Sequence, residues 1–406
     1  MKLCYLVYRE EEVMVFQSQV LEYLLTIKEK GVFDSVELII FRHEANFFNK
    51  ERVEKRVSKF IDSYKTFATL PILSMAQLDF SAYQLSNYIN RKYKPDDEIA
   101  VICRGDLAGY VGGKVFRKDS RSRVLFDNRG LSFEESEMSH GDQLIHRINR
   151  IVKRKAMMFA KMNCDMYNFV TRSMREYMIN KYGYKRSLPF TIIPTLYKAE
   201  DLDEKKYCEI QKTEEYTEDQ FVVSYIGSIQ AWQSLDQLKE IIISISESIA
   251  TARFMFLMNG SLPGLDSLPL NIQRKISIKS IPHEQIKYYL AMSDIGIVIR
   301  DNNIVNKVAA PTKIAEYITN GVTVLYGGDI GIVKDLHEVA RDVRLIEFDS
   351  KSEWLEKIID VYRNRTKKIS KDATNYFDMN TRLEETIDMI NASFGKMVAE
   401  RGEPNE

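Results

Sequence analysis

The sequence predicts an α/β protein of two lobes, each built on a parallel β-sheet with helices on both faces. Three observations carry this reading. Short β-branched or apolar runs of strand length alternate with helical-period segments along the whole chain, the pattern of parallel strands joined by crossovers. A length of 406 residues exceeds one ordinary domain, and 45% hydrophobic and 11% aromatic residues can fill two cores. Charge divides the chain as well. Residues 1–200 carry 33 Lys and Arg against 25 Asp and Glu, and the remainder reverses that imbalance to give a formal net charge of zero. A basic first half and an acidic second half fit two separate bodies, the first suited to an anionic partner.

The elements follow in order. Residues 2–8 read as a first strand, too soon interrupted by Arg9 and Glu10 for a signal peptide. Further strands are expected at 35–42, 69–74, 98–103, 123–127, 166–171 and 190–194, with helices at 17–30, 51–67, 83–93, 143–162 and 173–182. Segment 200–219 is polar, charge-rich and without period, which makes it the expected linker. The second half restarts with a strand at 221–226, a helix at 234–250 and strands at 253–258, 276–280, 295–300, 322–326 and 343–348. It closes with a helix near 381–398. The domain reading is therefore 1–199, a linker at 200–219, a second lobe at 220–375 and a final helix in 376–406. No repeat, low-complexity tract or apolar run of membrane-spanning length interrupts it. Four scattered cysteines (Cys4, Cys103, Cys164, Cys208) show no metal spacing and read as buried reduced thiols, which suits the cytoplasm.

The stretch Ala310–Leu325 carries the most chemistry. Pro311 suits a first helical turn, where its missing N–H costs nothing, and Thr312 and Lys313 follow. Asn320-Gly321 is a helix stop that tolerates a left-handed backbone, and Val-Thr-Val-Leu after it is a buried strand. Free backbone N–H groups and a lysine thus gather at one helix start, where anions bind well. One turn on, Glu316 can accept hydrogen bonds from sugar hydroxyls. A phosphate site and a ribose site a turn apart suggest a nucleoside diphosphate.

Pro-Thr-Lys-Ile-Ala-Glu-Tyr-Ile-x-x-Gly-Val-x-Val-Leu resembles the donor-site helix of GT-B glycosyltransferases, and is most similar to the bacterial family-4-like group that builds surface polysaccharides. Residues 288–297, Tyr-Tyr-Leu-Ala-Met-Ser-Asp-Ile-Gly-Ile, resemble that family's helix–Asp–strand lead-in. The resemblance implies two Rossmann-like lobes with sheets facing a central cleft, and a C-terminal helix crossing back to the first lobe. It further implies a nucleotide-sugar donor, retention of anomeric configuration, and no metal or other cofactor. Some features depart from the family pattern. The place of its glycine-rich loop is taken by Arg9-Glu10-Glu11-Glu12 before Ser18-Gln19-Val20. Val308 stands eight residues before Glu316, where a first Glu is expected. The loop after Gly227-Ser228 (Ile-Gln-Ala-Trp-Gln-Ser) lacks the family's Arg and Lys.

Other candidates lie just past predicted strands. Arg300 and Lys313 can neutralise one departing diphosphate, and Gly227 and Ser228 can border the nucleotide. Asp127 and Arg129, in Val-Leu-Phe-Asp-Asn-Arg-Gly before Glu134-Glu135, resemble an Asp-x-Arg-Gly…Glu signature of polysaccharide glycosyltransferases. Asp127 is a candidate acceptor contact or base, and Arg129 a partner for it or for an acceptor phosphate; a structural Asp–Arg pair reads nearly as well. Arg104-Gly105-Asp106 reads as a turn, His283 as a helix start and His140 as a loop residue. No cluster has metal-ligand spacing. Residues 146–161 form a basic amphipathic segment, compatible with an anionic membrane face as well as with an ordinary solvated helix. Nucleic-acid binding is disfavoured by the neutral whole and the absent motif modules.

These readings combine into a cytoplasmic glycosyltransferase, peripheral to the inner face of the cell membrane. It would move a sugar from UDP or GDP to a hydroxyl of a glycan or lipid-linked glycan. An inactive sugar-nucleotide-binding or partner-docking protein and a nucleotide-sugar epimerase stay open as alternatives.

Overall fold

The computed structural model describes residues 1–9, 16–43, 57–139, 144–197, 201–227, 235–349 and 353–401. The chain forms two compact units, Met1–Pro194 with Met379–Glu406, and Thr195–Asp378.

The first unit holds β1 (Lys2–Tyr8), β2 (Ser35–His43), β3 (Ser63–Thr69), β4 (Ile99–Arg104), β5 (Ser122–Asn128), β6 (Met166–Phe169) and β7 (Phe190–Ile192). They pair in the order β3-β2-β1-β4-β5-β6-β7, all parallel. β4 is buried along its whole length and β1 from Leu3 onward, as a sheet covered on both faces requires. On one face Leu3, Tyr5 and Val7 meet Leu24 and Ile27 of the Glu22–Glu29 helix, joined by Leu383, Ile387, Ile390 and Phe394 of the C-terminal helix Met379–Arg401. That helix is fixed further by an ion pair from Lys30 Nζ to Glu384 Oε1 at 2.6 Å and by Arg123, whose Nε donates to the Ser393 carbonyl at 3.2 Å. The C-terminal helix therefore crosses back to the first lobe, as the resemblance implied.

Two stretches of this unit differ from the sequence reading. Residues 63–67, expected to end a helix, belong to edge strand β3, while of 69–74, expected as a strand, only Thr69 is in β3 and 70–74 form a loop around Pro71. The alternating Ser-Tyr-Lys-Thr-Phe-Ala-Thr run suits a half-buried edge. The helix that follows starts earlier than expected, at Met75, because Ser74 and Gln77 close a capping box there. The turn expected at Arg104-Gly105-Asp106 instead opens the helix Gly105–Phe116. Its four glycines disguise it, yet close packing demands them. A side chain on Gly112 would collide with the Cys103 sulfur, and a Cβ on Gly109 would stand 2.9 Å from Ala160 Cβ.

The second unit holds β8 (Phe221–Ile226), β9 (Ala252–Leu257), β10 (Ile276–Lys279), β11 (Ile295–Ile299), β12 (Thr323–Gly327) and β13 (Leu345–Glu347), parallel in the order β10-β9-β8-β11-β12-β13. One core packs the Leu235–Ser248 and Glu353–Arg363 helices on the sheet through Ile241, Ile245, Trp354 and Ile358. The other packs the Thr312–Thr319, Gly331–Val339 and Lys371–Phe377 helices through Ile314, Tyr317, Ile332, Leu336 and Phe377. Within the expected linker, Glu204–Thr213 is a helix, its N-terminus capped by Asp203, and it belongs to this unit. Partly buried Tyr207 and Ile210 pack on the second core, which gives a polar sequence a reason to be helical. Cys4, Cys103 and Cys164 are buried, whereas Cys208 is exposed because this short helix has a solvent face. No helix among the described residues is long and apolar enough to cross a membrane.

Candidate functional site

An open parallel sheet leaves a crevice beyond the C-terminal ends of its strands where the strand order reverses. In the second unit that point lies between β8 and β11. These two strands pair only at Ile295–Val223 and Gly296–Ser224, then part. Tyr317, wholly buried on the Thr312–Thr319 helix, fills the gap. Its hydroxyl donates to the Ser224 carbonyl and accepts from the Ile226 N–H, both at 3.1 Å. A side chain at Gly296 would collide with its ring, so the missing Cβ makes the room.

Tyr317 thereby sets the helix that carries the predicted residues. Pro311 is its N-cap, with φ −62°, and Thr312 its first residue. Gly321, with φ +70°, ends it as Asn320-Gly321 predicted. Lys313 reaches back across Gly227, which leaves β8 with φ +85°. A Cβ there would stand 3.5 Å from Lys313 Cε. The ammonium lies 3.8 Å from the centroid of the Tyr225 ring. Burial first, and then repulsion from Arg300, pull its pKa down to about 7, against an opposing pull from Glu316.

Arg300 directly follows β11. Its Nη1 donates at 2.7 Å to Oδ1 of Asn306, a fully buried side chain that also donates to the Asp301 carbonyl at 2.8 Å. Asn303 caps the short Ile304–Val308 helix by accepting from the Asn306 N–H at 2.9 Å. Gly328, with φ +87°, passes so close that a side chain there would collide with the Arg300 carbonyl. Glu316 is buried, with Oε1 3.4 Å from Nε2 of His283. His283 does open a short helical turn, as expected, but it also meets Glu316, a contact the sequence did not suggest. Val308 is buried. Ser228 and His140 lie outside the described residues.

The structure thus brings Gly227, Arg300, Pro311, Thr312, Lys313 and Glu316 to one crevice of the second unit. Asp127 and Arg129 belong to the first. At the end of β5, Asp127 is buried between Arg104 Nη1 at 3.7 Å and Arg129 Nη1 at 3.5 Å, and accepts from Asn168 Nδ2 at 2.6 Å. Arg129 also donates to the carbonyls of Ile193 at 3.1 Å and Pro194 at 3.3 Å. Both oxygens of Asp127 are engaged, so the pair braces strand ends as it stands. Glu134 is buried too, accepting from the hydroxyls of Tyr177 at 2.8 Å and Tyr182. Asp106 accepts from Ser132, and burial pushes its pKa up to about 7.

Sequence reasoning missed Tyr225, Asn306 and Tyr317. Only Tyr317 had a visible signal, as the aromatic next to Glu316 in the resembling stretch. Among the described residues no group of three His, Cys, Asp or Glu side chains could hold a metal ion.

Solved structures share this architecture. A glycosyltransferase from Rickettsia africae aligns with a TM-score of 0.67 at 13% identity over 98% of both chains. Anabaena Alr3699/HepE, in a complex with UDP, gives 0.58 at 15% identity over 99% of both. Sucrose-phosphate synthase from Thermosynechococcus elongatus gives 0.63 at 12% identity over 98% of this chain and 100% of its own. No protein-family model and no curated protein matches the sequence. At such identities the likeness is one of fold, and the chain has the α/β GT-B fold with two Rossmann-like lobes.

Proposed function

We propose that the protein is a glycosyltransferase that takes a sugar from a nucleoside diphosphate, UDP or GDP, and passes it to a hydroxyl of a glycan or lipid-linked glycan. One observation carries this reading: two cations, Lys313 and Arg300, converge on the switch-point crevice of the second sheet beside Gly227 and the Thr312–Thr319 helix start. Their mutual repulsion and the depressed lysine pKa mean that the crevice gains most from a multiply charged anion. A diphosphate supplies it, and the Anabaena protein of this fold is known in complex with UDP.

In this proposal Lys313, Arg300 and the helix N–H groups stabilise the diphosphate as it leaves, the step where negative charge develops. Glu316 accepts from the ribose hydroxyls, held by His283. Gly227 allows the nucleotide to approach the backbone, with Ser228 next to it. Transfer is hexosyl, retains configuration and uses no metal or other cofactor; these details, the family-4-like membership and a role in surface polysaccharide synthesis rest on the sequence resemblance. Asp127 and Arg129 are proposed to shape the acceptor side by bracing rather than by proton transfer, because both are already paired. The enzyme works in the cytoplasm, an assignment that rests on its reduced thiols.

The fold by itself does not select the reaction. Calorimetric titration with UDP, GDP and their sugars, followed by product analysis, does. The reading requires tight nucleotide binding that Lys313→Ala abolishes, and free nucleotide together with a glycosylated acceptor. An epimerised sugar nucleotide, or binding without turnover against a broad acceptor panel, would replace it with one of the alternatives.

A further inference from the structure

The Leu144–Asn163 helix of the first unit buries Val152, Ala156, Met157 and Ala160 and turns its other face outward. That outer face is neither simply polar nor simply apolar. Leu144, Ile151 and Met162 are each more than half exposed, and Ile145 and Met158 are exposed to a lesser extent. Interleaved with them, at helical spacing, stand the exposed cations Arg147, Arg154 and Lys155. Arg147 and Lys155 form no ion pair among the described residues.

The face is also shaped. Arg147, Arg150, Arg154 and Lys155 line a concavity of about 570 Å³. Its apolar wall is Phe133, from the Ser132–Ser139 helix, with Ile151 and Met158. Arg154 lies over the Phe133 ring, 5.7 Å from its centroid.

We infer that this face docks on an anionic lipid bilayer, the cations meeting headgroup phosphates and the aliphatic side chains entering the acyl boundary. Charge complementarity selects this occupant. A basic face pressed on its own copy would repel itself. A nucleic acid would use the cations but leave the aliphatic side chains without a role, since bases stack on aromatic rings. A headgroup layer takes both kinds of side chain at one depth, as amphipathic basic helices lying in an interface do.

The test is co-sedimentation of the full-length protein, without nucleotide, with vesicles of phosphatidylcholine alone or mixed with phosphatidylglycerol. Binding is expected only with the anionic vesicles and should weaken with salt. Arg147→Gln combined with Lys155→Gln should lower partitioning about 30-fold, from about fivefold per lost charge. Ile151→Ser should lower it further, and melting curves check that each variant is folded. No binding by the parent protein, equal binding to neutral vesicles, or parental binding by the folded double variant would overturn the inference. Retention on single-stranded DNA without vesicle binding would overturn it too. None of these outcomes bears on the donor site, which Lys313→Ala tests separately.

Discussion

The ring of Tyr317 occupies the space that a side chain on Gly296 would need. This places a tyrosine between two strands that have just stopped pairing, where its hydroxyl serves the Ser224 carbonyl and Ile226 N–H in place of a ladder. Gly296→Ala should overpack the site and destabilise the second unit by about 1–3 kcal/mol, seen as an earlier urea midpoint. Tyr317→Phe keeps the ring but leaves two buried backbone groups unpaired, at a cost of about 1–3 kcal/mol. Both should weaken UDP binding, because the helix bearing Lys313 and Glu316 shifts. Unchanged affinity in a measurably destabilised variant would show that the helix is held elsewhere.

If Lys313 holds the diphosphate as proposed, its lowered pKa couples binding to protonation. Its pKa, pulled to about 7, lies below the ordinary lysine value, so the folded protein holds fewer protons than the unfolded chain between about pH 7 and the ordinary range. By linkage, this group lowers stability most below pH 7, and stability recovers as pH rises through that window. A diphosphate bound beside the ammonium would restore the proton. UDP affinity should therefore fall between about pH 7 and 9, by at most about tenfold per unit, while the diphosphate stays ionised. Calorimetry in buffers of different ionisation enthalpy should register proton uptake. Lys313→Met should be weak and flat with pH, and a flat profile in the parent protein would contradict the coupling.

Asn306 holds Arg300, and in the proposed donor site it would act on the nucleotide through that contact. Asn306→Ala removes the 2.7 Å acceptor of a guanidinium N–H, an interaction of about 1.5–3 kcal/mol for a charged donor. Nucleotide affinity should drop roughly tenfold or more, while Asn306→Asp, which still accepts, should retain more of it. Equal losses in the two variants would point to helix disruption in place of Arg300 positioning.

Asp127 separates bracing from chemistry. Asp127→Asn removes the charge facing buried Arg104 and half-buried Arg129, and breaking a buried pair costs about 3–5 kcal/mol. Chemical denaturation should show the loss in the first unit, with UDP affinity unaffected. A variant of normal stability that binds UDP but transfers no sugar would instead return Asp127 to the proton-transfer role.

The crevice proposed for the donor could be assembled from the sequence because its parts sit in one short stretch. Pro311, Lys313, Glu316 and Asn320-Gly321 announce a helix start, a charge and a stop, each with a local physical meaning. Arg300 was readable as a cation just past a strand. Asn306 was not, because a buried amide acquires its role only when β11 and the Ile304–Val308 helix fold together. In the first unit, the Gly105–Phe116 helix escaped notice because helix propensity penalises glycine, whereas tertiary contact with Cys103 and Ala160 requires it. Edge strand β3 was mistaken for the end of a helix because half-buried alternation is a weak signal beside a long charged run.

The helix Met379–Arg401 leaves the ribosome only after the whole of Thr195–Asp378, yet Leu383, Ile387, Ile390 and Phe394 belong to the core laid down by β1 and β2. During translation the amino-terminal body must therefore wait, with an uncovered apolar flank, until the whole intervening body has been made. The order of synthesis and the order of completion are inverted, and a fragment stopping at Pro194 should be sticky where the intact polypeptide is not.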